Sequence, residues 1–329
     1  MDHQIAVLRK QYLQLVEPSC LSFPPLDLLQ QSAFQAALCA GLFTPGARDV
    51  MPPPPPERYT ARVLKRLISL LSEGGGHDRS TRRSTSEYYP FTLAFCRICL
   101  PLDRHPFQPT PKENVTYTLP PSPFSGRPIG QPVTLFESRA VISGSGTTGL
   151  RTWEAALALA EYLIVSHLGR FYSFPGAGVI AGERLVEEAG SVLELGAGTG
   201  LVGIVAARLG AGRVVLTDGD EGVCDALKAG LKWNGVADVA SVRRLMWGEE
   251  AEEGEGNEGE RFDLVVGADV TYDSSAIPHL VAELVRLLTK NPSAKVIIAA
   301  TIRNEDTFSS FRDSCGTFPH SYSHMYITN

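Results

Sequence analysis

A glycine-rich turn flanked by two acidic residues is the strongest chemical signal in this sequence of 329 residues. The turn is GAGTG at 196–200; Glu194 stands two residues before it, and Asp218 closes the next apolar segment. Gly196 and Gly198 carry no Cβ, so the chain can bend sharply there and a ligand can lie against the main chain. A carboxylate at position 218 could accept hydrogen bonds from both hydroxyls of a ribose. The pattern predicts a site for a nucleoside-containing cofactor.

The spacing of the glycines, and the acidic residue Glu194 before them, indicate which class of nucleoside-containing cofactor the turn would bind. The third glycine follows at GxGxG rather than GxGxxG spacing, since position 201 is leucine, and this suits a dinucleotide pyrophosphate less well. The Glu194 carboxylate would repel a pyrophosphate, but it could help to hold the ammonium group of a methionine moiety. The sequence therefore favours S-adenosylmethionine as the cofactor.

Other polar and aromatic side chains are expected around the same ligand. Trp247 follows the third predicted strand, where it could stack on the adenine ring or belong to the core. Asp269 and Tyr272 follow the fourth predicted strand and are expected to face the reactive methyl group. Asp218 could instead only cap the helix that follows it, and Asp220 is a weaker competitor for the ribose.

The elements that must position these residues alternate between short apolar runs and helical segments. Such alternation predicts an α/β fold with a parallel sheet flanked by helices. The strands are expected near 191–195, 213–217, 241–245, 263–267 and 295–300. The acidic residues and the glycine turn then all follow the carboxyl ends of strands, at one edge of the sheet.

Three motifs jointly resemble the family 16 protein-lysine methyltransferases. They are ELGAGTGLVG at 194–203, Trp247-Gly248 and DVTY at 269–272. The branch that methylates a lysine of translation elongation factor 2 is similar in further stretches, namely SRAVIS at 138–143, GTTGLRTWEAA at 146–156 and TIRN at 301–304. The resemblance covers about residues 130–312 and extends more loosely over the N-terminal helices.

The resemblance implies a Rossmann-like, doubly wound class I methyltransferase sheet with a helical N-terminal region. It implies Asp269 and Tyr272 as a DxxY motif near an acceptor lysine. It also implies cofactor contacts from Trp153, Gly196, Ala197, Gly198, Asp218, Trp247 and Ala268. The alternatives are a protein that binds S-adenosylmethionine without catalysis and a methyltransferase of another substrate.

The chain is expected to comprise three regions. Residues 1–110 form a helical region with a Pro-rich linker and a mobile loop, 111–150 a β-hairpin lead-in, and 151–329 the methyltransferase domain. Residues 249–260 carry seven glutamates and are expected to be a disordered, solvated insertion, or else a segment that attracts a basic substrate surface electrostatically. Few residues follow the fifth strand, so the C-terminal strands of the sheet are expected to be missing and its edge to be open.

Composition and charge narrow the functional classes further. The net charge of −6 gives no general attraction to nucleic acid, and the sequence has neither a signal peptide pattern nor an apolar run of membrane-spanning length. A monomeric cytoplasmic protein without a membrane or nucleic-acid partner is expected. The lone CxxC pair, Cys96 and Cys99, lacks the second pair of a zinc site, so no metal is expected.

Overall fold

The structure of the chain is a computed structural model. The described residues are 2–43, 54–73, 113–119, 132–137, 149–167, 172–174, 178–180, 185–249, 260–316 and 323–327. The chain divides into two compact units, Met1–Thr118 and Leu119–Asn329. The predicted mobile loop, the CxxC pair and nearly all of the acidic stretch lie outside the described residues, whereas the domain boundaries at 110 and 150 stay predictions.

The first unit is built from amphipathic helices that share one apolar core. Its elements are α1 (Asp2–Leu13), α2 (Leu26–Leu29), α3 (Ser32–Leu42), α4 (Glu57–Glu73) and the strand β1 (Glu113–Tyr117). In α4 the buried side chains Val63, Leu64, Leu67 and Leu71 recur at helical spacing, which turns one face inward. The Tyr12 hydroxyl lies 2.7 Å from the Thr60 hydroxyl inside this core. The predicted helical N-terminal region is confirmed for these residues.

The second unit contains a six-stranded sheet with helices between its strands. Its strands are β2 (Val133–Glu137), β3 (Tyr172–Phe174), β4 (Gly178–Ile180), β5 (Ser191–Leu195), β6 (Arg213–Asp218), β7 (Ala240–Arg244), β8 (Leu264–Ala268), β9 (Lys295–Thr301) and β10 (Ser323–Ile327). Its helices are α5 (Glu154–His167), α6 (Leu185–Glu188), α7 (Leu201–Arg208), α8 (Glu221–Trp233), α9 (Ile277–Lys290) and α10 (Glu305–Cys315).

The sheet has the strand order β10-β9-β8-β5-β6-β7, and every neighbouring pair is parallel. The apolar runs of β5 and β8 are buried almost throughout because helices cover both faces of such a sheet. The chain moves to β6 on one side of β5 and later to β8 on the other. This reversal opens a crevice at the carboxyl ends of β5, β6 and β8, which is where an α/β sheet binds ligands. The predicted α/β fold class is confirmed.

The C-terminal end of the sheet differs from the expectation. The tail was expected to leave the edge of β9 open, yet residues 323–327 form β10, which pairs in parallel with β9 from Ser323 opposite Ile297 to Ile327 opposite Thr301. The expectation was wrong because strand pairing uses backbone groups, so a polar and aromatic segment can pair at an edge without an apolar pattern.

The two segments predicted to form a hairpin are both strands, β1 in the first unit and β2 in the second. Most residues between them lie outside the described part of the chain. In the second unit the Asn234 side chain fixes β2, since it accepts a hydrogen bond from the Thr134 N–H at 3.0 Å and donates one to the Thr134 carbonyl at 2.7 Å. The guanidinium of Arg208 donates to Asn234 as well.

Candidate functional site

A cavity of about 970 Å³ lies at the carboxyl ends of β5, β6 and β8. All the described residues that line it belong to the second unit. They include every site residue predicted from the sequence, namely Trp153, Glu194, Gly196, Ala197, Gly198, Asp218, Trp247, Ala268, Asp269 and Tyr272. The fold thus brings the predicted residues together, while their individual roles stay predictions.

The glycine turn after β5 requires residues without a side chain. Gly196, Gly198 and Gly200 have φ angles of +59°, +54° and +81°, a region that other residues rarely adopt. A Cβ at Gly196 would lie 2.8 Å from a methyl group of Val270, and one at Gly198 would lie 3.0 Å from the Gly149 carbonyl oxygen. The turn therefore forms a narrow depression, here called the glycine cradle, which side chains at Gly196 and Gly198 would fill.

Asp218 at the end of β6 is held by backbone amides rather than by a cation. Its carboxylate accepts hydrogen bonds from the Gly198 N–H at 3.0 Å and the Asp220 N–H at 3.1 Å. Burial raises its pKa above the ordinary value, although these amides act in the opposite direction. Asp220, not Asp218, caps helix α8, because its side chain accepts from the Val223 N–H at 2.9 Å. Capping of α8 therefore does not explain Asp218.

Glu194 makes a contact that the sequence did not signal. Its Oε2 accepts a hydrogen bond of 2.8 Å from the N–H of Gly203, the third residue of α7. Gly200, which precedes α7, has no side chain to cap the helix, so the buried carboxyl group takes over that function. Burial raises the pKa of Glu194 to about 8, the nearby charge of Asp218 raises it as well, and the Gly203 amide opposes both.

Beyond β7, the cavity is lined by the indole of Trp247 and by His279. The Nε1–H of Trp247 is buried and has no hydrogen-bond acceptor among the described residues. The next residue, Gly248, has a φ of +90°, and a Cβ there would lie 2.4 Å from Nδ1 of His279 on α9. His279 also lines the cavity and was not predicted. An unsatisfied buried donor at a cavity wall suits a ligand that carries an acceptor.

Asp269 follows β8 with a φ of +53°, a left-handed conformation that is uncommon for non-glycine residues, although aspartate adopts it more readily than most. Its carboxylate is 8% exposed and accepts from the Thr301 N–H at 2.8 Å. Arg303 lies 3.5 Å from the same carboxylate and donates to Glu154 at 2.8 Å. Tyr272, three residues after Asp269, is 63% exposed. Of the two predicted DxxY side chains, that of Asp269 is thus held by hydrogen bonds, whereas that of Tyr272 is largely exposed.

The cavity wall near α5 contains the Trp153 ring, which two guanidinium groups contact. Arg151 and Arg303 lie 4.6 Å and 4.9 Å from the centroid of the Trp153 ring, distances typical of cation–π contacts. The Thr152 hydroxyl donates to Glu137 at 2.7 Å and lies 2.8 Å from the Thr199 hydroxyl in the glycine turn. Apart from the contact of Arg151 with Trp153, these contacts join distant segments, so no local sequence pattern signals them.

Comparisons with known proteins assign the chain to a family. A model of the lysine methyltransferase family matches residues 140–313. Over 312 residues the chain is 39% identical to the protein-lysine N-methyltransferase EFM3 of Chaetomium thermophilum, and the alignment covers 93% of this chain and 85% of that protein. The chain belongs to the lysine methyltransferase family.

Two further relatives of this methyltransferase align over shorter stretches. The Saccharomyces cerevisiae EFM3 is 34% identical over 192 residues, which cover 56% of this chain and 53% of the yeast protein. The human protein-lysine N-methyltransferase EEF2KMT is 32% identical over 206 residues, which cover 57% of this chain and 56% of the human protein.

The family confirms the expected enzyme class and cofactor: the chain is a protein-lysine N-methyltransferase that uses S-adenosylmethionine. Among the described residues, no helix of this methyltransferase has the length and apolar character needed to cross a membrane. The same part of the chain contains no cluster of three or more His, Cys, Asp or Glu side chains that could hold a metal ion.

Proposed function

We propose that this methyltransferase methylates a lysine side chain of translation elongation factor 2. The observation that carries the proposal is the single cavity into which the glycine cradle, Asp218, Asp269 and Tyr272 all open. The substrate rests on the resemblance of 138–156 and 301–304 to the branch that modifies this factor, and on similarity to EFM3 and EEF2KMT. We place the enzyme in the cytoplasm as a monomer, where this substrate would be available.

The cofactor half of the cavity suits S-adenosylmethionine. Asp218, fixed by two amides, has lone pairs left for the ribose hydroxyls. Trp247 would lie along the adenine, and its unsatisfied Nε1–H suits a ligand acceptor. Gly196 and Gly198 leave the space in which the methionine part would lie against the main chain. Glu194 would act mainly through the turn, because one of its oxygens already holds α7.

The remaining cofactor contacts complete the wall of this half. Trp153 would border the methionine part, and the main chain at Ala197 and Ala268 would line the space between the glycine turn and β8. When bound, S-adenosylmethionine supplies a methyl group on an electrophilic sulfonium.

The acceptor half must deliver a neutral amine to that methyl group. A free lysine at neutral pH is mostly ammonium, and populating the neutral amine costs on the order of 4 to 5 kcal/mol. Asp269 alone would favour the ammonium form, so we assign it to orientation and docking of the substrate. The Tyr272 hydroxyl, exposed at the cavity, would orient the amine for in-line transfer. No protein nucleophile is needed.

The test combines binding and transfer on the full chain. Isothermal titration with S-adenosylhomocysteine should give saturable binding at one site. Purified elongation factor 2 incubated with enzyme and S-adenosylmethionine should gain whole methyl groups by intact mass, and peptide mapping should place them on lysine. Binding without any gain of mass would support a non-catalytic protein, and methylation of other proteins in a lysate but not of this factor would support another substrate.

A further inference from the structure

Arg303 links the acceptor side of the cavity to the wall near the expected cofactor. One end of its guanidinium lies 3.5 Å from the Asp269 carboxylate and the other donates to Glu154 at 2.8 Å. The same group lies 4.9 Å from the centroid of the Trp153 ring. Arg303 therefore contacts two separate segments, namely the residue that follows β8 and the two consecutive residues Trp153 and Glu154 at the start of α5.

The charge of Arg303 bears on the protonation of a lysine beside Asp269. An anionic carboxylate near an amine favours ammonium, which cannot accept a methyl group. A guanidinium stays charged at all working pH values, and one paired with the carboxylate weakens that effect. The Asp269 side chain is 6% exposed and that of Arg303 is 41% exposed, so the solvent screens this pair only in part.

We propose that Arg303 is a positioning residue that offsets the charge of Asp269, so that the acceptor lysine loses its proton at lower pH. This inference rests on the proposed function, because it assumes a lysine next to Asp269. Arg303 touches neither reactant in this view and acts through Asp269.

Other charged or titratable groups face the same space, and the experiment must separate their effects from that of Arg303. These groups are Arg151, Glu154, Glu194, Asp218, Asp220, Glu221, Arg244, Tyr272 and His279. All of them stay unchanged when Arg303 alone is replaced, so a shift of the pH profile reports on Arg303.

The experiment measures the single-turnover rate of methyl transfer to elongation factor 2 as a function of pH. The wild-type rate should rise with pH as the acceptor amine loses its proton. In R303Q the midpoint should move up by about one pH unit, so the rate falls about tenfold below the midpoint and approaches the wild-type rate well above it. R303K keeps the charge and should retain the wild-type midpoint even if its maximal rate falls.

R312Q is the matched control, because Arg312 is exposed on α10, pairs with Asp313 and is not among the residues that line the cavity. Its midpoint should equal that of the wild type. The double variant D269N/R303Q removes both charges and should have a midpoint near that of the wild type and above that of D269N, which keeps the test valid if R303Q fails to fold.

An unmoved midpoint in folded R303Q would overturn the inference and leave Arg303 a purely structural role. A double variant with the same midpoint as D269N would overturn it as well. A wild-type enzyme that does not methylate elongation factor 2 would contradict the proposed function itself, and the inference with it. Titration with S-adenosylhomocysteine distinguishes these outcomes from a lost cofactor site.

Discussion

Asp218 and Asp220 are only two residues apart, yet their side chains make different contacts. Both line the cavity, but the Asp220 side chain accepts from the Val223 amide of α8, whereas the Asp218 carboxylate is oriented by the amides of Gly198 and Asp220. Nothing in the residue types separates the two, since both could cap a helix or bind a ribose. Only the register at the end of β6 decides that Asp220, and not Asp218, caps α8.

The first prediction follows from this division. D218N should weaken binding of S-adenosylhomocysteine roughly 10- to 100-fold, because two hydrogen bonds to a charged acceptor are worth about 1.5 to 3 kcal/mol. D225N is the control: Asp225 is exposed and pairs only with Lys228 among the described contacts, so its titration curve should match the wild type. Equal affinities for D218N and D225N would remove Asp218 from the cofactor site.

A second prediction at this scale concerns Tyr272. Y272F should lower the maximal methylation rate roughly 3- to 10-fold, the worth of about one hydrogen bond to the amine. The affinity for S-adenosylhomocysteine should stay within twofold of wild type, since the ring is kept. Steady-state rates and calorimetry on the same preparation give both numbers, and a parallel loss of rate and affinity would contradict an acceptor-side role.

At the scale of elements, Glu194 connects β5 to α7 across the glycine turn. The carboxyl group is 2% exposed and accepts from Gly203, where a Cβ would lie 2.6 Å from its Oε2. This hydrogen bond links β5 to α7, and the nearby Glu194 and Leu216 side chains leave no room for a side chain at Gly203.

The third prediction uses the raised pKa of Glu194. The unfolded chain binds this proton with a pKa near 4.5 and the folded chain with a pKa of about 8. As pH rises between these values the unfolded state loses the proton while the folded state keeps it, so wild type loses stability relative to E194Q. Urea unfolding should show equal stabilities near pH 4 and an advantage of a few kcal/mol for E194Q at pH 9.

E188Q provides the control, because Glu188 is exposed on α6. Its stability difference from wild type should not change with pH in this range. An E194Q advantage that is the same at pH 4 and pH 9 would show that folding does not shift the pKa of Glu194.

The elements differ in how far the sequence determines them. Strands β5, β6, β8 and β9 are predictable because short, continuous apolar runs are typical of strands that are buried on both faces of a parallel sheet. β10 is not, since an edge strand needs only backbone pairing and its residues carry no such run. The site residues at strand ends follow from the strands, but the contact of Arg303 with Glu154 joins positions 149 residues apart, which only the folded chain brings together.

On the scale of the whole molecule, all the described residues around the cavity lie in the second unit. The first unit has a separate core around Leu8, Phe34, Leu38 and Leu64. A ligand that binds only the folded site stabilises it by mass action, by about 2.7 kcal/mol at 100 times the dissociation constant. That stabilisation should appear in the elements whose opening destroys the site.

The last prediction therefore concerns hydrogen exchange of the full chain with and without S-adenosylhomocysteine. Amides of β5, the glycine turn, α7 and the end of β6 should exchange up to about 100-fold more slowly at that concentration. Amides of α1 and α4 should be unaffected, because no described residue of these helices lines the cavity. D218N at the same ligand concentration is the control, as it should lose most of the protection. Equal slowing in α1, α4 and β5 would contradict a site confined to the second unit and would require residues of the first unit to take part in binding.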